Sequence, residues 1–195
     1  MMRRLTWAMA LVLVLLTIGS SMPAAALTGA NADVVKIGRC RLGYYVPYDP
    51  TSWTTLETQA HLIDIVAVQW VTIDGCGRLT SEDNQTLKRF ARVNGISVYP
   101  SLLTNSGWLN HRLLTDDETS ARAITEIVNY VVAEGYDGFD LDLEAVRPDN
   151  RDAYSAFVTR LSTALRDQGK PLALAIPAKA SDTRTGGRAR MITRR

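Results

Sequence analysis

From Leu42 onward the sequence repeats one unit: a short apolar run, a polar loop, an amphipathic stretch, then the next apolar run. The runs are LGYYV (42–46), DIVAVQWVTI (64–73), ISVYPSLL (96–103), GFDLDLE (138–144) and PLALAIP (171–177), each bounded by turn residues as strands are. Between them apolar residues recur at helical spacing: Leu87, Phe90 and Ala91; then Ile124, Ile127, Val128, Val131 and Val132; then Tyr154, Phe157, Val158, Leu161 and Leu165. A capping box at Thr115 and Glu118 is expected to open the helix through Ile124. Gly95, Gly135 and Gly169 stand where the three helices should end. A less regular helix is expected near Ser52 to His61. Strands alternating with helices predict an α/β fold with a parallel sheet, and runs this apolar need cover on both faces, as in a doubly wound sheet or a barrel with helices outside. Tyr45-Val46-Pro47-Tyr48-Asp49 occupies the place of a Gly-rich phosphate loop after the first strand, which excludes dinucleotide binding of the usual kind.

The chain opens MMRRLTWAMALVLVLLTIGSSMPAAA, two arginines ahead of an apolar run and an A-x-A tract ending at Ala26. This is the pattern of a secretory signal peptide over 1–26, and the run is too short for the ~20 residues of a membrane span. The chain is therefore expected to be secreted, extracellular or cell-wall located, with no stable membrane anchor after cleavage. The formal net charge of +2 is unevenly placed. Residues 178–195 hold six Lys/Arg against Asp182, and 27–177 hold 14 basic against 19 acidic residues, so the body stands at −5. The basic tail, expected to be disordered or translated out of frame, is no reason to invoke nucleic acid. Cys40 and Cys76 are the only cysteines. They are expected at opposite ends of a parallel strand pair, over ~15 Å apart, which argues against a bridge. His61 and His111 stand alone, without zinc-ligand spacing.

DGFDLDLE (137–144) sets carboxylates into one of these strands. Side chains alternate, so Phe139, Leu141 and Leu143 face one way and Asp140, Asp142 and Glu144 the other. In a barrel the apolar set packs on helices and the acidic set points to the axis. Burying a lone carboxylate is costly enough that the group usually takes a proton, and like-charged neighbours raise its pKa further. A row of such groups suits acid–base work, one carboxyl protonated beside an ionised neighbour. Glu144, last in the row, lies nearest the rim where barrel enzymes hold substrate and is the candidate general acid. Among the aromatics Tyr45, Tyr48, Trp70, Tyr99 and Trp108, set at or after strand ends, Tyr45 and Trp70 are the foremost candidates to stack on a sugar.

DGFDLDLE resembles the DGxDxDxE signature of glycoside hydrolase family 18, which contains chitinases, endo-N-acetylglucosaminidases and spore-wall glycosidases. More weakly the resemblance covers the five βα units from Leu42 to Pro177, and PAKASDTRTGG is similar to a PAK(T/S)-type segment of bacterial cell-wall-directed members. It implies part of a (β/α)8 barrel, five strands of the usual eight. It also implies a secreted glycosidase acting on β-1,4-linked N-acetylglucosamine polymers, chitin or peptidoglycan. In that family Glu144 would protonate the glycosidic oxygen and Asp142 would orient the 2-acetamido group, whose carbonyl attacks the anomeric carbon. Asp140 would support Asp142, and Asp137 with Gly138 would be structural. The mechanism is substrate-assisted and implies no cofactor and no metal.

After Pro177 the apolar pattern stops, so the tyrosine and tryptophan that later strands of the family bring to the site are not assigned in this sequence. Two other functions fit the same residues. One is a non-catalytic carbohydrate-binding protein on this scaffold, though such members usually lose the glutamate that Glu144 retains. The other is an oxygen-only Mg²⁺ or Ca²⁺ site built from Asp140, Asp142 and Glu144.

Overall fold

The computed structural model describes residues 40–176, so the expected signal peptide and basic tail lie outside the described residues. In chain order the elements are β1 (Leu42–Tyr45), α1 (Pro50–Gln59), β2 (Ile65–Ile73), β3 (Leu79–Ser81), α2 (Gln85–Val93), β4 (Ser97–Thr104), α3 (Gly107–Thr115), α4 (Asp117–Ala133), β5 (Phe139–Leu143), α5 (Arg151–Arg166) and β6 (Leu172–Leu174). Strands β1, β2, β4, β5 and β6 pair in that order, all parallel, while β3 folds back antiparallel on the end of β2. The arrangement is an open half-barrel of βα units.

Alternation and register divide the sheet into two faces. One carries Val66 and Val68 of β2, Val98 and Leu102 of β4, and Phe139, Leu141 and Leu143 of β5. They are buried against Leu87 and Ala91 of α2, Ile127 and Val131 of α4, and Phe157, Leu161 and Leu165 of α5. Fully burying one such side chain contributes about 1.5–3 kcal/mol, so this layer between sheet and helices is the main source of stability. The other face carries Tyr44, Ala67, Tyr99, Ser101, Asp140 and Asp142, aligned by the pairings Tyr44↔Ala67, Ala67↔Tyr99, Ser101↔Asp140 and Leu103↔Asp142.

Helices α1 to α4 each begin where a side chain satisfies free amides. Asp49 caps α1 through Thr51 N at 2.8 Å with Pro50 at the first position, Asn84 caps α2, and Ser106 caps α3 through Leu109 N at 3.3 Å. At α4 the expected capping box is displaced. Thr115 is the last residue of α3, and Asp116 is the cap, accepting from Thr119 N at 2.8 Å, with Asp117 and Glu118 favourably placed in the first turn. The cause is α3 itself, a helix with no clean apolar stripe that the sequence did not announce. Gly95, Gly135 and Gly169 follow α2, α4 and α5 with φ of 67°, 68° and 69°, the left-handed conformation that closes a helix. The run expected as a strand over 171–177 pairs only at Leu172–Leu174. Cys40 and Cys76 are both free and exposed.

Candidate active site

Strand β5 delivers the carboxylates. Its first residues fix it to its neighbours: the Asp137 carboxylate accepts from Val98 N at 2.8 Å, and Asp137 N donates to Val98 O at 3.2 Å. At Gly138 a Cβ would stand 2.5 Å from Tyr99 Cζ and 2.8 Å from Pro171 O, so the Tyr99 ring lies where any side chain would go.

Asp140 is 1% exposed, and both its oxygens are held. Ser101 Oγ donates to Oδ2 at 2.7 Å and Tyr44 OH to Oδ1 at 3.4 Å. Burial nevertheless lifts its carboxyl above the ordinary range, against the opposing pull of those two hydroxyls. Asp142, one step nearer the strand end, has no such donors among the described residues. Burial first, then the charges of Asp140 and Glu144, push it up to about 6. Glu144 follows the last strand residue and is exposed; its N donates to Thr104 O at 2.9 Å, and Asn110 Nδ2 donates to its carbonyl. Two phenols feel the same charges. Tyr44 is pushed up by burial and by Asp140 and Asp142, and Tyr154, on the first turn of α5, is pushed up to about 12 by burial, then Asp142 and Asp140.

The three acids therefore occupy one line from a buried, hydroxyl-bound carboxyl to an exposed one. The charge of Asp140 acts on Asp142, beside an accessible Glu144. No group of three His, Cys, Asp or Glu side chains among the described residues is arranged to hold a metal ion.

The two foremost aromatic candidates are not with them. Tyr45 pairs with Val68, and both sit in the apolar layer against the helices. Trp70 is 5% exposed in the same layer, its ring 6.3 Å from that of Tyr136. Both lie on the wrong face of the sheet to meet a ligand of Asp142. Of the two β1 tyrosines it is Tyr44, one residue earlier and 44% exposed, that faces the acids. Sequence reasoning missed it, together with Ser101 and Asn110. The signal for Tyr44 is indirect: β2 alternates Val66, Val68 and Trp70 against the small or polar Ala67 and Gln69, and this fixes the face of Tyr44 only through the pairing of β1 with β2. Tyr48 and Trp108 are exposed on the loop after β1 and on the first turn of α3.

The sequence profile of Glycosyl hydrolases family 18 matches residues 41–192, most of the chain and past Pro177 into the basic stretch. The chain belongs to this family. It is similar to the uncharacterized glycosylase YvbX of Bacillus subtilis (strain 168), at 22% identity over 146 residues, 71% of this chain and 42% of that protein. Among solved structures it resembles a class V chitinase from Pseudomonas fluorescens Pf-5, with TM-score 0.68 and 28% identity, covering 75% of this chain and 47% of that one. The spore cortex-lytic enzyme SleL of Bacillus megaterium QM B1551 shares the fold, with TM-score 0.68 and 18% identity over 75% of this chain and 36% of that one. The chain spans less than half the length of each of these relatives. The parallel half-barrel matches part of the barrel of these solved structures.

Proposed function

We propose that this chain carries the acid end of the active site of a secreted glycosidase that hydrolyses β-1,4-linked N-acetylglucosamine polymers, chitin or peptidoglycan. The observation that carries the reading is the graded carboxylate row, in which Asp142 is raised to about 6 between buried Asp140 and exposed Glu144. The names of the relatives, a glycosylase, a chitinase and a spore cortex-lytic enzyme, point the same way.

In this reaction the sugar on the non-reducing side supplies its own nucleophile. Its acetamido carbonyl oxygen bonds to the anomeric carbon as the bond from that carbon to the glycosidic oxygen breaks. The leaving oxygen takes the proton of Glu144. Asp142 accepts a hydrogen bond from the acetamido N–H, which turns the carbonyl toward the anomeric carbon. Asp140, held by Ser101 and Tyr44, keeps a shared proton available to Asp142. Water then opens the cyclised intermediate, returning its proton to Glu144, and the configuration is retained.

The test is release of reducing ends from N-acetylglucosamine oligomers and from cell-wall glycan, with and without chelator, by the unaltered chain and by Glu144→Gln. Release that survives chelator and falls by about 10²–10⁴-fold in Glu144→Gln is expected, the usual worth of a positioned proton donor. Release lost with chelator would transfer the site to metal chemistry. Retention on chitin or cell wall without any release would make the chain a binding protein.

A further inference from the structure

We propose that Asn110 of α3 is a positioning residue for Glu144, holding the peptide that follows the acid in the one orientation that presents its carboxyl at the rim. The proposal rests on the reading of Glu144 as the proton donor.

Asn110 is completely buried, one turn into α3. Its Nδ2 donates to the Glu144 carbonyl and, at 3.4 Å, to Thr104 O at the end of β4, while its Oδ1 has no partner among the described residues. A buried polar side chain is normally satisfied, and here it is the NH₂ of Asn110 that is used, on two main-chain carbonyls. Glu144 N already donates to Thr104 O. The main chain of the acid is thus gripped at both its N–H and its C=O by one small unit, Thr104 with Asn110. The next loop anchor uses the same helix, His111 Nδ1 lying 2.9 Å from Asn150 Oδ1.

The need for the grip is visible one residue on. Ala145 has φ of 51°, left-handed for a residue with a Cβ. Rotating the Glu144–Ala145 peptide by half a turn would return Ala145 to an ordinary negative φ. The same rotation would swing the Glu144 carbonyl away from Asn110 and change ψ of Glu144, turning the peptide dipole that lies beside the acid's side chain. The Glu144 side chain has no hydrogen-bonding partner among the described residues that would resist this. The hydrogen bond from Asn110 opposes the flip directly, because it is made to the oxygen that would move.

The experiment compares Asn110→Ala, Leu113→Ala and the double variant Asn110→Ala/Ala145→Gly with the unaltered chain. Leu113 is a fully buried residue of α3 that stands for general damage to the helix. Two substrates are used: an N-acetylglucosamine oligomer, whose leaving sugar must be protonated, and a dinitrophenyl N-acetylglucosaminide, whose leaving group departs without a proton. Misplacing a reacting group by about 1 Å costs about 10²-fold. Asn110→Ala is therefore expected to lower kcat on the oligomer at least tenfold with KM nearly unchanged, and kcat on the aryl glycoside less than threefold. Leu113→Ala should lower both rates alike. Ala145→Gly, which removes the preference for the flipped peptide, should restore much of the oligomer rate to Asn110→Ala. In parallel, hydrogen exchange at the Glu144 amide should speed up at least tenfold in Asn110→Ala and not in Leu113→Ala.

Equal loss on both substrates, no loss on the oligomer, or unchanged exchange at Glu144 overturns the proposal. If the unaltered chain turns over neither substrate, the glycosidase reading of this chain fails by itself. The exchange at Glu144 then still decides whether Asn110 holds the turn.

Discussion

Replacing Gly138 by alanine sets a methyl carbon 2.5 Å from Tyr99 Cζ, 2.7 Å from Tyr99 Cε2 and 2.8 Å from the Pro171 carbonyl oxygen. Two walls are met at once, and neither yields easily. The Tyr99 ring is 7% exposed, and Pro171 O is tied into the sheet by Phe139 N at 3.0 Å. Overpacking of this kind costs about 1–3 kcal/mol, and a clash with main chain as well as ring places Gly138→Ala near the top, about 3 kcal/mol. With a urea dependence of about 2 kcal/mol per molar, the unfolding midpoint should fall by about 1.5 M. The contrast is Gly75→Ala. Its methyl would lie 2.9 Å from Trp108 Cη2, the far end of a side chain that is 67% exposed and free to swing away, so the expected cost is below about 0.5 kcal/mol. Tyr99→Ala removes one of the two walls at Gly138. In that background Gly138→Ala should cost about 1–2 kcal/mol less, a coupling of the size found between residues in contact. Urea titrations of the four proteins of this cycle, with Gly75→Ala beside them, measure all the quantities. Gly138→Ala within about 0.5 kcal/mol of the unaltered chain, or a cost indifferent to Tyr99, would refute the reasoning.

The raised carboxyl of Asp142 makes stability depend on pH with a definite sign. Its folded pKa of about 6 lies above the unfolded value, so the fold holds the proton more tightly, and that stability is fully present below the unfolded pKa and lost as pH rises through about 6. Undiminished, the effect is roughly 3 kcal/mol, and solvent screening at this partly exposed group leaves about 1–2 kcal/mol. Thermal melts between pH 4 and 7 should show that loss in the unaltered chain and a smaller one in Asp142→Asn, where the raised Asp140 remains. In Asp140→Asn, carbon NMR should find Asp142 titrating lower but still above ordinary carboxylates, because burial is the larger cause; an unmoved Asp142 would remove the coupling. Asp83 has the opposite sign. Burial opposes its ionisation, yet hydrogen bonds from Ser81, Tyr130 and Tyr136, with Lys88 at 3.7 Å, hold it below the ordinary range, so its contribution is lost as pH falls. Asp83→Ala strands those hydroxyls and should cost about 2–4 kcal/mol in urea unfolding, with a flatter acid limb. Trp70→Ala should cost about 3–5 kcal/mol as a core truncation and leave affinity for N-acetylglucosamine oligomers unchanged in the protein that remains folded. A weakened affinity with an intact melting temperature would return Trp70 to the ligand.

Much of the architecture was legible because it rests on periodicity, and periodicity is local. The apolar runs became β1, β2, β4, β5 and β6, and the stripes through Leu87, Ile127 and Phe157 became α2, α4 and α5 with glycines at their ends. What escaped was short or compound. β3 is a three-residue return strand paired with the end of β2, and α3 abuts α4 so closely that Thr115 and Asp116 exchange the roles of helix end and cap.

The acids and the aromatics separated for a physical reason. DGFDLDLE declares its own two faces, because carboxylates and large apolar groups alternate without exception over 139–144. LGYY declares nothing, since either tyrosine suits either face, and its orientation comes through the sheet. Asp140 fixes the face of Ser101 and Tyr99 beside it, Tyr99 pairs with Ala67, and Ala67 pairs with Tyr44. Three successive parallel registers carry the choice from β5 to β1, and a slip of one residue in any of them would have put Tyr45 at the carboxylates instead. The hydroxyl that reaches Asp140 is thus specified by strand pairing across the whole half-barrel, which no single segment of the sequence contains.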